Sequence, residues 1–96
     1  MNWIKLNRLN EWHPGAKSID ESIRDFINRA EQLGISLTDI RVAIQLLINY
    51  RETGETEEVD HKIHRAIEHM ELAIDTMIDD GWPEKWIYRE LEKLVQ

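Results

Sequence analysis

Glu57-Glu58-Val59-Asp60-His61-Lys62-Ile63-His64-Arg65-Ala66-Ile67-Glu68-His69-Met70-Glu71-Leu72-Ala73-Ile74-Asp75-Thr76-Met77-Ile78-Asp79-Asp80 is the stretch whose reading decides the fold. Wound at ~100° per residue, Val59, Ile63, Ala66, Ile67, Met70, Ile74, Met77 and Ile78 all fall within roughly 60° of Ile63. A single apolar stripe sustained over that length marks an amphipathic helix with a core on one side and water on the other. Gly81 terminates it. The spacing predicts a helix over about 57–80.

On the N-terminal side, a segment at about 37–53 is closed by Gly54 and opened by Ser36 or Thr38. Leu37, Ile40, Ile44, Leu47 and Ile48 make one face, while Val42, Leu46 and Tyr50 make a second apolar face. A helix apolar on two sides is buried on two sides, so this one is either central to a bundle or the seam of a dimer. Before it, Ile19, Ile23, Phe26, Ile27 and Ala30 recur at helical spacing. A Ser18/Glu21 capping-box pattern opens that segment and Gly34 closes it. The last helix spans 83–95: Pro83 suits its first turn, and Ile87, Leu91, Leu94 and Val95 form its inner face.

Residues 1–16 are ambiguous. Ile4 and Leu6 alternate like a strand, whereas Leu6, Leu9 and Trp12 are spaced like a short helix, and His13-Pro14-Gly15 ends either. A lone strand has no partner, so the expectation is a short helix or an arm packed on the bundle. The fold class is therefore all-α: one domain over 1–96, a small antiparallel bundle of three to four helices over 17–96 with a short N-terminal arm.

The chain's net charge is −7, with 42% hydrophobic and 32% charged residues, a globular composition. Nine acidic and two basic residues fall within 55–80, so this helix and its lead-in carry a charge equal to the net value of the whole chain. Such a balance argues against direct binding to nucleic acid or to an anionic membrane. No apolar run approaches the ~20 residues of a membrane helix, and residues 1–15 lack the apolar core of a signal peptide. Cysteine is absent, which removes disulfides, thiolate metal sites and a cysteine nucleophile. Cytoplasmic localisation is the expectation.

Glu57, His61, His64, Glu68, Glu71, Asp75 and Asp79 follow one another at spacings of three or four residues along one flank of the third helix. That flank is either a solvated face or an electronegative ridge that meets a basic protein surface. His61, His64 and Glu68 have the spacing of metal ligands, but histidines on an acidic surface helix are ordinarily solvated, and no metal or cofactor is expected. Four tryptophans, Trp3, Trp12, Trp82 and Trp86, cluster in the terminal segments. Trp86 falls about 140° from the inner face of the last helix, and Leu72 lies opposite the core stripe of the third. Either the aromatics cover one another or some anchor a partner.

Glu68-x-x-Glu71 followed by Asp75 resembles the magnesium-binding helices of all-α nucleotide pyrophosphohydrolases. The resemblance covers one helix. The second acidic motif of that family, Glu-x-x-Asp, has no counterpart, since Asp75 and Asp79 lie four apart on the same helix. The leading expectation is a non-enzymatic protein-binding regulator, inhibitor or adaptor, of the kind by which phage-type inhibitors imitate DNA. Its partner-binding residues are Glu57, His61, His64, Glu68, Glu71, Leu72, Asp75, Asp79 and Trp86. Next comes a homo-oligomeric structural subunit or homodimer joined through Val42, Leu46 and Tyr50. A magnesium-dependent enzyme is third.

Overall fold

The computed structural model describes residues 18–96. The described residues form four α-helices and no strand: α1 Ile19–Gln32, α2 Leu37–Thr53, α3 His61–Asp79 and α4 Glu84–Val95. They pack as a small helical bundle. The expected N-terminal arm, with Trp3 and Trp12, lies outside the described residues.

α1, α2 and α3 each start at a side chain that accepts from an otherwise unpaired N–H of the first turn, whereas α4 follows Pro83 without a side-chain cap. Ser18 Oγ accepts from the Glu21 N–H at 3.2 Å and donates to the Glu21 carboxylate. Ser36 Oγ accepts from the Asp39 N–H at 3.1 Å, which settles the choice between Ser36 and Thr38. Asp60 Oδ1 accepts from the Ile63 N–H at 2.9 Å. This cap explains why α3 begins four residues later than the apolar periodicity implies: Asp60 is extended, at φ −74° and ψ 174°, and Glu57–Val59 precede the helix as irregular chain. Pro83 likewise stands just before α4 rather than in its first turn, with its carbonyl accepting from Trp86 and Ile87.

α1 and α3 end alike. Gly34 and Gly81 take positive φ, 84° and 104°, and the residue after each reaches back: Ile35 N–H to Ala30 O at 2.8 Å, Trp82 N–H to Met77 O at 3.1 Å. These six-residue closures turn the chain sharply and drive an apolar residue against the end of the helix just completed. Ile35 is thereby buried.

The core is Ile19, Ile23, Phe26 and Ala30 of α1, Ile40, Ala43, Ile44, Leu47 and Ile48 of α2, Ala66, Met70, Ala73, Ile74 and Met77 of α3, Ile87 and Leu91 of α4, and Ile35. Fully buried Ala43, Ala66 and Ala73 lie on the core faces of α2 and α3, where a small side chain lets neighbouring backbones approach. Two expected core positions, Leu37 at the first turn of α2 and Ile78 at the edge of the α3 stripe, are exposed, and six more, Ile27, Val59, Ile63, Ile67, Leu94 and Val95, are half-buried outside the core. The second helix is not buried on two sides among the described residues, for Val42 and Tyr50 are 40% and 52% exposed and Leu46 is half-buried.

Polar contacts fix the helix order. His69 Nε2 bonds the Phe26 carbonyl at 2.7 Å, and Arg65 Nη2 donates to the Leu33 carbonyl at 2.9 Å. As residue number rises along α3 it falls along α1, so the two run in opposite senses. α2 and α4 are also opposed: Arg51 meets Glu84 and Tyr88, while Arg41 and Val42 lie beside Leu94 and Val95.

Candidate functional site: an apolar groove beside an acidic flank

His61, His64, Glu68, Glu71, Asp75 and Asp79 are all exposed along α3. α3 positions them because its apolar stripe must face α1, α2 and α4, which leaves the opposite side to water. Of the two basic residues within 55–80, Lys62 and Arg65, Arg65 donates to the Leu33 carbonyl just beyond α1. His64 Nδ1 lies 3.4 Å from Glu68 Oε1. Glu71, Asp75 and Asp79 make no salt bridge among the described residues.

Glu57 does not extend this flank as another helical position. It sits in the irregular segment before Asp60 and reaches the same neighbourhood from the loop. There it joins Glu55, Thr56 and Val59 at a groove of about 350 Å³, whose other walls are Leu46, Leu47 and Tyr50 of α2 and His64, Ile67 and Glu71 of α3. The floor is apolar. The lining carries three glutamates and no lysine or arginine. Two residue sets far apart in sequence, the acidic flank and the second face of α2, meet here.

The remaining expected residues lie elsewhere. Val42 belongs to a shallower groove of about 280 Å³ between α2 and the end of α4, with Arg41, Gln45, Leu94, Val95 and Gln96. Leu72 is 59% exposed on the outer face of α3. Trp86 does not project as an exposed anchor: it is half-buried against the core, with its ring centroid 6.2 Å from that of Trp82. The chain reversal at Gly81 places Trp82 beside the first turn of α4 and so brings the two indoles together.

Tyr88 of α4 is half-buried between α2 and α3. Burial pushes its hydroxyl above the ordinary value of 10.0; Glu84 adds to the rise, Arg51 opposes it, and Glu71 and Asp75 raise it further. The acidic flank is therefore felt electrostatically by α4. Across α1 and α4, a hydrogen bond from Asp20 to Glu90 raises Asp20, and the Lys93 ammonium, bonded to Glu90, holds Glu90 below its usual value.

No group of three or more His, Asp or Glu residues is placed to hold a metal ion among the described residues. None of the described helices is long and apolar enough to cross a membrane. Sequence reasoning missed Glu55, Thr56, Leu47, Val59 and Ile67 as groove residues. The last three were assigned wholly to the core, yet Val59 and Ile67 are half-buried at its edge. Comparison of the chain with protein-family models, with curated proteins and with solved structures gives no match in any of the three.

Proposed function

We propose that this chain is a small acidic protein-binding regulator, an inhibitor or adaptor, that engages a basic partner through the outward flank of α3 and the groove beside it. The observation that carries the reading is the convergence of Glu57, His64 and Glu71 with Leu46 and Tyr50 on one groove. Apolar area there supplies affinity, and the carboxylates around it supply steering and selection among partners. Exposed carboxylates spaced three or four apart repel one another mildly and add little to folding, so binding gives their clustering a purpose that stability does not. A protein that handles nucleic acid presents the complementary basic surface, and a flank of carboxylates competes with phosphates for it.

The test is affinity capture from lysate with the wild type and with Glu68→Lys/Glu71→Lys/Asp75→Lys/Asp79→Lys. A stoichiometric basic protein retained by the first, lost by the second and released by moderate salt supports the reading. Equal recovery on both overturns it.

A second reading is a self-assembling subunit. It is favoured by the line of Val42, Leu46 and Tyr50 along α2, left open to solvent among the described residues. Light scattering of the wild type and Leu46→Glu separates the two: a wild type that stays monomeric at high micromolar concentration excludes assembly. The enzymatic reading has only the order Glu68, Glu71, Asp75 in its favour.

A further inference from the structure

The groove between α2, the 55–59 segment and α3 has a form that narrows the class of its occupant. Its floor is built from side chains on two helices and a loop, Leu46 and Tyr50 on one wall and Ile67 on the other, so it is a trough and not a closed chamber. Apolar troughs between packed helices take the apolar face of another helix, read as side chains three, four and seven residues apart. The rim is asymmetric in charge: Glu55 and Glu57 stand on the loop side and Glu71 on the α3 side, with no cation in the lining. Beyond Glu71 the flank continues through Asp75 and Asp79. A second copy of this chain would bring another −7 toward that rim, an unfavourable approach. A cationic helix would instead bring Lys or Arg to carboxylates on both sides of its apolar face.

We infer that this groove receives one amphipathic helix of the partner, with two or three large apolar residues at helical spacing seated over Leu46, Tyr50 and Ile67, and with Lys or Arg flanking them opposite Glu55, Glu57 and Glu71. The inference rests on the protein-binding reading above and adds to it a secondary structure, a sequence pattern and a seat. Affinity comes from the apolar anchors, and the charges select the partner and accelerate its approach.

The experiment uses the full chain and two labelled peptides of about 18 residues, long enough to hold a helical turn pattern. One has Leu at positions that share a helix face and Lys on its two borders; the other has the same composition in an order that destroys the face. Fluorescence anisotropy gives both affinities at low and moderate salt. The patterned peptide binds at least roughly tenfold tighter than the scrambled one, because only it buries apolar side chains together. Leu46→Ala/Tyr50→Ala abolishes that preference, whereas Asp75→Asn/Asp79→Asn, outside the lining, weakens both peptides alike and keeps it. Circular dichroism of each variant, unchanged from the wild type, shows that the fold is kept.

Equal binding of the two peptides, lost with salt, overturns the helix seat and leaves the acidic-flank reading standing. Binding of neither peptide overturns both. A wild-type dimer abolished by Leu46→Ala/Tyr50→Ala, with no peptide preference, assigns the groove to a second copy and overturns the inference. A preference that emerges only in Trp3→Ser/Trp12→Ser assigns the groove to residues 1–17 of the same chain and equally overturns it.

Discussion

Arg51 lays its guanidinium 4.6 Å above the Tyr88 ring while its Nε donates to Glu84 Oε1 at 3.3 Å. Tyr50, one residue earlier, lines the groove. The cation that sequence places next to the groove is thus turned to α4, stacked on an aromatic face and paired with a carboxylate. The groove keeps a lining in which glutamate is the only permanently charged side chain.

The Arg51–Tyr88 contact has a titration signature. With Tyr50→Phe as background, Tyr88 is the sole tyrosine, and ultraviolet titration should place its ionisation above 10.0. Arg51→Met should raise it further, since Arg51 opposes the rise. In the window above 10.0 the unfolded chain gives up this proton before the folded one does. The contribution of Tyr88 to stability is therefore constant below that value and falls as pH rises through the window. A Tyr88 that titrates at or below 10.0 contradicts the burial described for it.

His69 joins α3 to α1 through the Phe26 carbonyl, and its ring meets the Phe26 ring edge-on at 5.8 Å. A carbonyl can only accept, so Nε2 carries the proton in this contact. His69→Leu should cost about 1–3 kcal/mol, because a part-buried acceptor loses its donor. His64→Leu, on the exposed flank, should change stability by less than about 0.5 kcal/mol. Urea unfolding of the two variants side by side checks the difference; equal effects would mean that the 2.7 Å contact is not made in solution.

The core and the outer face of α3 should separate as cleanly. Met77 is fully buried and Leu72 is 59% exposed. Met77→Ala should destabilise by about 2–5 kcal/mol through lost transfer energy and a residual cavity. Leu72→Ser should leave the melting temperature within the small range expected of surface changes. A large loss at Leu72 would show that this face is covered in the free protein.

Asp20 and Glu90 face each other across α1 and α4, and Asp20 is raised by the bond and charge of Glu90. At neutral pH two carboxylates share one region. Asp20→Asn keeps a hydrogen-bond donor toward Glu90 and removes a charge, so a modest rise in melting temperature is expected at pH 7. The gain should fade in acid: a group with a raised folded value favours folding below its ordinary range and loses that contribution as pH rises through the folded value. Thermal melts across the carboxylate range measure it, and a gain that persists unchanged in acid would exclude the pairing.

Helix number and type were legible because the apolar spacings of α1, α3 and α4 are strongly periodic and Gly34, Gly54 and Gly81 mark the ends of α1, α2 and α3. The start of α3 was not. Val59 continues the stripe, but Asp60 captures the Ile63 N–H, and a local cap overrides periodicity that packing alone would extend. Asp60→Ala, which removes that capping bond, is accordingly expected to cost about 0.5–2 kcal/mol. The acidic flank could be read from spacing, since residues on one helix face declare themselves at three and four. The groove could not. It depends on where α2 and the 55–59 segment lie against α3, a tertiary relation that neither Leu46 nor Ile67 signals alone. For Trp86 the sequence leaves two readings open, cover by another aromatic or an anchor for a partner, and in the fold it is half-buried beside Trp82, which the turn at Gly81 delivers.

Backbone-amide NMR of the full chain, titrated with the captured basic partner or with the patterned cationic peptide, tests the central claim most directly. Resonances of Leu46, Tyr50, Glu57, Val59, His64, Ile67 and Glu71 should move together and saturate at one equivalent, while those of Ile23, Phe26 and Arg29 on α1 stay in place. Shifts centred on α1, or none at all at saturating partner, would contradict it.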